Sequence, residues 1–160
     1  MRETVDLLLV NPGNRVEQFA GLAPLATVAQ PLGIALLAAY VRARGISVAI
    51  FDAEAYGLTP VEAVDRIEAL YDPRVVGLTA FTTKMTAAGA ILREIRYRLP
   101  YVTTLLGGHH PSALPERTLE EEEVDYVIKG EGFYPVTELM LRVIAGKPCL
   151  GIRGVWGRTL

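Results

Sequence analysis

A chain of 160 residues is one domain of ordinary size, long enough to bury a real core, and a hydrophobic fraction of 51% excludes intrinsic disorder. Sixteen basic residues against 18 acidic ones leave a net charge of −2, so no cationic surplus points to a nucleic-acid partner. The single cysteine, Cys149, excludes an internal disulfide and a cysteine-ligated metal site.

Val5–Val10 (VDLLLV) reads as a buried strand that stops at Asn11-Pro12-Gly13. The opening residues lack the apolar region and cleavage site of a signal peptide. From Asn11 to Gln30 no periodicity is visible, and connections beyond ~12–15 residues are usually functional, disordered or mis-assigned. This one is rich in Ala, Leu, Pro and Gly, so it is expected to pack against a ligand, a partner domain or the sheet edge. Pro31–Arg44 is apolar nearly all round and stops at Gly45, which predicts a helix buried against a sheet. Its longest apolar run, Ile34–Val41, is too short to span a bilayer. A cytoplasmic domain without membrane contact is the expectation.

Ser47–Phe51 is the second predicted strand. Thr59-Pro60-Val61-Glu62 forms a capping box with proline at the first helical position, and Val61, Val64, Ile67 and Leu70 mark an apolar face. Val75–Ala80 is the third strand. Residues 84–99 follow as a helix with Met85, Ala88, Leu92, Ile95 and Leu99 buried, and Glu94 and Arg98 paired at i,i+4. Val102–Leu106 is the fourth strand and Pro115–Glu122 a short helix, whose carboxylates Glu116 and Glu120–Glu123 read as a solvated face. Asp125–Ile128 is the fifth strand. Pro135–Ala145 is a closing helix stopped by Gly146 and Pro148, and Gly154–Gly157 looks like the start of another strand. This alternation predicts an α/β fold: a flavodoxin-like (Rossmann-like) open parallel five-stranded sheet with helices on both faces.

Ligands of such sheets bind outside the carboxyl ends of the strands. Those ends carry Asn11-Pro12-Gly13, then Thr79-Ala80-Phe81-Thr82-Thr83, then Gly107-Gly108-His109-His110-Pro111-Ser112, and Gly130-Glu131-Gly132. Glycines let a ligand approach the backbone, and threonine hydroxyls can donate or accept. Each feature alone is more often a turn or a cap, but four at one edge favour a site. Adjacent histidines diverge in an extended segment, so His109 and His110 suit polar ligand contacts or a surface turn better than metal coordination. Ser112 and Cys149 lack the surroundings of a catalytic nucleophile, so no catalytic residue is expected. Neither G-x-G-x-x-G nor a Walker A loop follows the first strand. A phospho-receiver would need acidic groups where Asn11 and Thr79 stand, and only Lys129 resembles that pattern.

The segments PLGIALLAAYVRARG (31–45), LTAFT (78–82), LLGGHHPSALPE (105–116) and VDYVIKGEG (124–132) together resemble the N-terminal cobalamin-binding domain of radical SAM enzymes, the anaerobic magnesium-protoporphyrin ester cyclase-like members above all. The resemblance implies a corrinoid lying over the carboxyl ends of the strands, with its nucleotide tail running into the sheet edge. On that footing Thr79, Phe81 and Thr82 fall in the hydroxyl region after the third strand, and Gly107 and Gly108 match the glycine pair beside the tail. His109 and His110 are ligand contacts, Gly130, Glu131 and Gly132 match the turn after the fifth strand, and Asn11 and Pro12 lie near the corrin face. The first loop, NPGNRVEQF, lacks the histidine of the D-x-H-x-x-G motif that ligates cobalt in other corrinoid carriers. One cysteine also cannot supply the C-x-x-x-C-x-x-C motif of an iron–sulfur cluster. The resemblance therefore implies a cobalamin-binding domain over residues 1–153, with 154–160 starting a connector to a downstream radical SAM domain. SAM, the cluster and any enzyme activity of cyclase or methyltransferase type would belong to that partner, in the same parent chain or as a separate subunit. The rival is a non-catalytic flavodoxin-like module binding another small ligand or only a protein.

Overall fold

The computed structural model describes residues 1–13, 20–25, 28 and 30–158. Residues 14–19, 26, 27 and 29 of the unusually long first connection lie outside the described residues; within it, Ala20–Leu25 form a 3-10 turn. The strands are β1 (Glu3–Asn11), β2 (Val48–Asp52), β3 (Tyr71–Thr79), β4 (Thr103–Gly107), β5 (Tyr126–Ile128) and β6 (Val155–Gly157). They form one sheet in the order β2-β1-β3-β4-β5-β6, parallel throughout except that β6 runs antiparallel to β5. The first five have the flavodoxin-like order the alternation predicts. The sixth is the incipient strand at the end of the sequence. Gly154, at a left-handed φ of 86°, precedes it, and Val155, Trp156 and Gly157 pair with Ile128, Val127 and Tyr126. The connection from β5 to β6 runs through the helix at Phe133–Ile144 and returns antiparallel to the sheet edge.

The helices are α1 (Leu32–Arg42), α2 (Ala53–Tyr56), α3 (Pro60–Leu70), α4 (Met85–Arg98), α5 (His109–Ala113), α6 (Pro115–Glu121) and α7 (Phe133–Ile144). Alternate residues of the strands feed opposite faces, as the two-residue period of a strand requires. Leu8, Val10, Val76, Leu106 and Val127 pack with Val64, Ile67, Ala88, Leu92 and Leu119 of α3, α4 and α6. Leu7, Leu9, Val75, Leu105 and Ile128 pack with Ile34, Ala38, Val41, Leu139 and Met140 of α1 and α7. Each fully buried side chain of this size contributes roughly 1.5–3 kcal/mol.

Several local expectations are corrected. Helix α1 is not buried all round: Ile34, Ala38 and Val41 face the sheet, whereas Leu32 and Leu36 are 67% and 53% exposed. In α3 the capping box forms as predicted, with Thr59 N donating to Glu62 and Glu62 N donating back to Thr59 Oγ1. Its buried stripe is Ala63, Val64 and Ile67, while Val61 and Leu70 are half exposed. Nine residues at about 3.6 per turn put those two on opposite sides of the helix. Arg98 does not reach for Glu94; it bridges to Asp65 and Glu68 of α3 at 2.7 and 2.5 Å, since two carboxylates one turn apart on the neighbouring helix engage both arms of the guanidinium. Glu122 is not part of the solvated face. It turns in over Gly89 of α4, where the missing Cβ leaves room for its carboxylate.

Candidate functional site

Because β1 connects to β2 on one side while β3 lies on the other, the strand order reverses between β1 and β3, and a crevice opens over their carboxyl ends. The loop after β3 and the loop after β4 meet across this edge. Ala80 N donates to Gly107 O at 2.9 Å, and His110 N donates to Ala80 O at 3.4 Å. Gly108 makes the meeting possible. Its backbone sits at φ 108°, ψ −174°, a region open essentially to glycine alone, and a Cβ there would lie 2.6 Å from Ala80 O, 2.8 Å from Ala80 N and 3.0 Å from Thr79 Oγ1. Of the glycine pair it is Gly108 that lets the two loops touch; a Cβ at Gly107 would meet Ile128 at 3.6 Å, an ordinary contact.

The contact brings two ring and hydroxyl pairs together. Phe81 stacks on His109, with ring centroids 4.7 Å apart and planes inclined by 17°. Thr82 Oγ1 and His110 Nδ1 lie 3.1 Å apart, the donor depending on the histidine tautomer. Residues 81–83 and the facing His109, His110 and Leu114 wall an open depression of about 530 Å³. That volume falls within the ~300–1,000 Å³ typical of small-molecule and cofactor sites. Phe81, Thr82 and His109 are exposed, while Thr79, Gly107, Gly108 and His110 are partly buried.

The turn after β5 joins this group through α5, because Gly130 N donates to Ser112 Oγ at 2.9 Å. Gly130 has a left-handed φ of 79° and no atom within 4 Å of where a Cβ would stand, so the space over its α-carbon is open while its N–H is held by Ser112. Glu131 is exposed. Gly132 leads into α7, and a Cβ there would stand 3.5 Å from Leu37 of α1, on the other face of the sheet from the depression. Pro12 and Asn11 are buried. The Asn11 amide is engaged in both directions: Nδ2 donates to Asp52 Oδ1 at 2.8 Å, and Oδ1 accepts from Lys84 Nζ at 2.9 Å.

The residue pattern alone did not single out Lys84, Asp52 or the partnership of Ser112 with Gly130. One signal for Lys84 was available. It stands at the N-cap of α4, where the helix dipole disfavours a cation, so an acidic partner from elsewhere was to be expected. Burial raises the Glu122 carboxyl above the ordinary value of 4.5; Arg93 opposes this, Glu121 adds to it, and His110 opposes it. Burial likewise pushes the Cys149 thiol up, against a hydrogen bond with Tyr126 and the charge of Arg142, so it stays protonated and unreactive. Among the described residues no group of three or more His, Cys, Asp or Glu side chains could hold a metal ion. No described helix is long and apolar enough to cross a membrane.

Residues 20–140 match the family model of the B12 binding domain. The chain belongs to the B12-binding domain family. This domain is 33% identical over 132 residues to an uncharacterized methyltransferase of Pyrococcus horikoshii, covering 82% of this chain and 28% of that protein. It is 31% identical over 130 residues to the anaerobic magnesium-protoporphyrin IX monomethyl ester cyclase of Rubrivivax gelatinosus, covering 80% of this chain and 23% of that one. The B12-binding domain thus spans about a quarter of the length of these relatives. Its fold matches that of the radical S-adenosylmethionine methyltransferase TsrM of Kitasatospora setae, a structure with cobalamin and a [4Fe-4S] cluster bound, at a TM-score of 0.78 and 23% identity over 99% of this chain and 28% of that one. It also matches the cobalamin-dependent S-adenosylmethionine radical enzyme OxsB with aqua-cobalamin bound, at a TM-score of 0.75 and 21% identity over 96% of this chain and 20% of that one. The chain is a B12-binding domain similar to the cobalamin-binding regions of radical SAM enzymes, and the rival of a module for a different ligand or for protein alone is not favoured.

The residues present fit a cobalamin. The depression offers an apolar ring wall in Phe81 and a hydroxyl and an imidazole at its side, and the turn at Gly130 is tied to it through Ser112 of α5.

Proposed function

We propose that this domain holds a cobalamin over the carboxyl ends of β1, β3 and β4, with the nucleotide tail in the depression between residues 81–83 and α5. The observation that carries the reading is the depression itself, walled by Phe81, Thr82, His109 and His110 where two loops are locked together at Gly108. Thr82 and His110 bind polar groups of the tail, and Phe81 stacked on His109 supplies the apolar side. Thr79, Gly107 and Gly108 keep that wall in place. Gly130 and Glu131 line the far side, Gly132 carries that turn into α7, and Asn11 and Pro12 set the floor near the corrin.

When bound, the cobalamin supplies the cobalt chemistry, and the protein's share is to bind and orient it. SAM and the iron–sulfur cluster belong to a radical SAM catalytic domain, fused in a longer parent chain or separate, acting as a cyclase or a methyltransferase in the cytoplasm. The binding domain runs through β6, which completes its sheet, and the connector toward that partner begins after that strand rather than at residue 154.

The test is retention of hydroxocobalamin by the purified chain through desalting, read from its visible spectrum. The wild type should carry a shifted corrin spectrum. The T82A/H110A double variant should bind at least about tenfold more weakly, the equivalent of ~1.4 kcal/mol. A chain that emerges with no corrin absorbance removes the proposal, and a double variant with wild-type affinity removes the depression as the tail site.

A further inference from the structure

Lys84 does something the binding reading does not use. It is a cation at the N-terminus of a fourteen-residue helix, where the helix dipole opposes positive charge. Its side chain is nevertheless only 18% exposed, and its ammonium lies 2.9 Å from Asn11 Oδ1 and 3.3 Å from Glu54 Oε2, whose side chain is 13% exposed. Asn11 passes the contact on to Asp52, which in turn accepts from Ala55 N at the start of α2. One ammonium therefore gathers the end of β1, the β2–α2 junction and the β3–α4 loop.

Such a buried ion pair seldom stabilises a fold more than apolar side chains of the same volume would, but it does fix geometry. Here the geometry is that of residues 80–84. On one flank the loop is tied to β4 and α5 through Ala80, Gly107 and His110. On the other it is tied to β1 and α2 through Lys84. Phe81 and Thr82 sit between the two tethers, at the wall of the depression.

We infer that Lys84 is a positioning residue for the cofactor site: held by Asn11 and Glu54, it latches the β3–α4 loop onto the ends of β1 and β2 and so sets Phe81 and Thr82 in place. The ammonium is occupied by protein acceptors and acts through the loop. The inference rests on the cobalamin reading for its purpose, but the latch itself can be measured without a ligand.

The experiment compares wild type, K84R, K84M and the K84M/E54Q double variant, the last leaving no buried carboxylate facing a lost cation. Amide hydrogen exchange of residues 79–84 is measured without cofactor, and hydroxocobalamin affinity and the circular dichroism induced in the corrin bands are measured with it. In K84M and in the double variant the loop amides should exchange at least about tenfold faster while β1 and β3 stay protected. Cobalamin should bind those variants at least about tenfold more weakly, with altered corrin dichroism, and K84R should restore both toward wild type. Unchanged loop exchange in the double variant overturns the latch. Faster exchange with wild-type affinity and dichroism overturns its role in positioning. If the wild type itself retains no cobalamin, the cofactor reading fails, and the exchange measurement alone then decides the latch.

Discussion

Replacing Gly108 by alanine should be among the most damaging single-methyl additions in this domain. The backbone there, at φ 108° and ψ −174°, belongs to a region that only glycine occupies readily, and holding another residue in it costs about 1–3 kcal/mol. The added Cβ would stand 2.6 and 2.8 Å from the oxygen and nitrogen of Ala80. Both are backbone atoms, so the loops must separate, at a further cost of about 1–3 kcal/mol for overpacking. Together this is about 2–6 kcal/mol against a total stability of ~5–15 kcal/mol for a typical domain. Gly130→Ala is the control. It also places alanine at positive φ, but meets no atom within 4 Å, so only the ~1–2 kcal/mol of left-handed strain applies. Urea unfolding followed by far-UV dichroism and by the fluorescence of Trp156, the one tryptophan, gives both numbers. G108A should lose substantially more stability than G130A. Equal losses, or a G108A variant within ~0.5 kcal/mol of wild type, would show that the two loops do not touch as described.

Two other side chains give independent checks. Asp125 accepts from Thr104 N at 2.8 Å, Thr104 Oγ1 at 3.0 Å and Arg96 Nη2 at 2.5 Å. Asp125→Ala strands the buried Thr104 donors and should lower stability by about 2–4 kcal/mol in urea unfolding, whereas a loss under ~1 kcal/mol would mean water replaces the carboxylate. Glu122 binds its proton more tightly folded than unfolded, because burial raises its carboxyl. Its effect is absent below the ordinary carboxylate value of 4.5 and becomes destabilising as pH rises through the folded value, since the folded state then holds more protons than the unfolded one. Glu122→Gln should therefore flatten the fall of stability from about pH 4.5 toward neutrality and be the more stable protein at pH 7; parallel pH curves for the two would refute this.

What could be read without the structure follows from how local each signal is. The strands and the α1, α3, α4 and α7 helices announce themselves through runs of apolar residues and through stops such as Gly45, Thr59-Pro60 and Gly146. Alternation of those elements led to the parallel sheet and its order, and the glycine and hydroxyl clusters marked its carboxyl edge. Helices α2 and α5 were not visible, since five residues or fewer carry no period; Asp52 capping α2 and Gly57 ending it become meaningful only once β2 is placed. Arg98 chose Asp65 and Glu68 over Glu94 because α3 lies beside α4, a proximity no local pattern records.

At the site, the sequence determined which residue types crowd the edge: Thr79, Phe81, Thr82, Gly107, Gly108, the histidine pair and Gly130. Only the tertiary structure decided what each does there. Gly108 is a point of backbone contact with Ala80, His110 pairs with Thr82, and Phe81 stacks on His109, all between segments some 30 residues apart in sequence. Asn11 and Lys84 are further apart still, yet the hydrogen bond between them crosses the point where the strand order reverses. Periodicity and turn chemistry act over a few residues along the chain. Side-chain partnership acts over a few ångströms in space, and the crossovers of a parallel sheet are what convert one distance into the other.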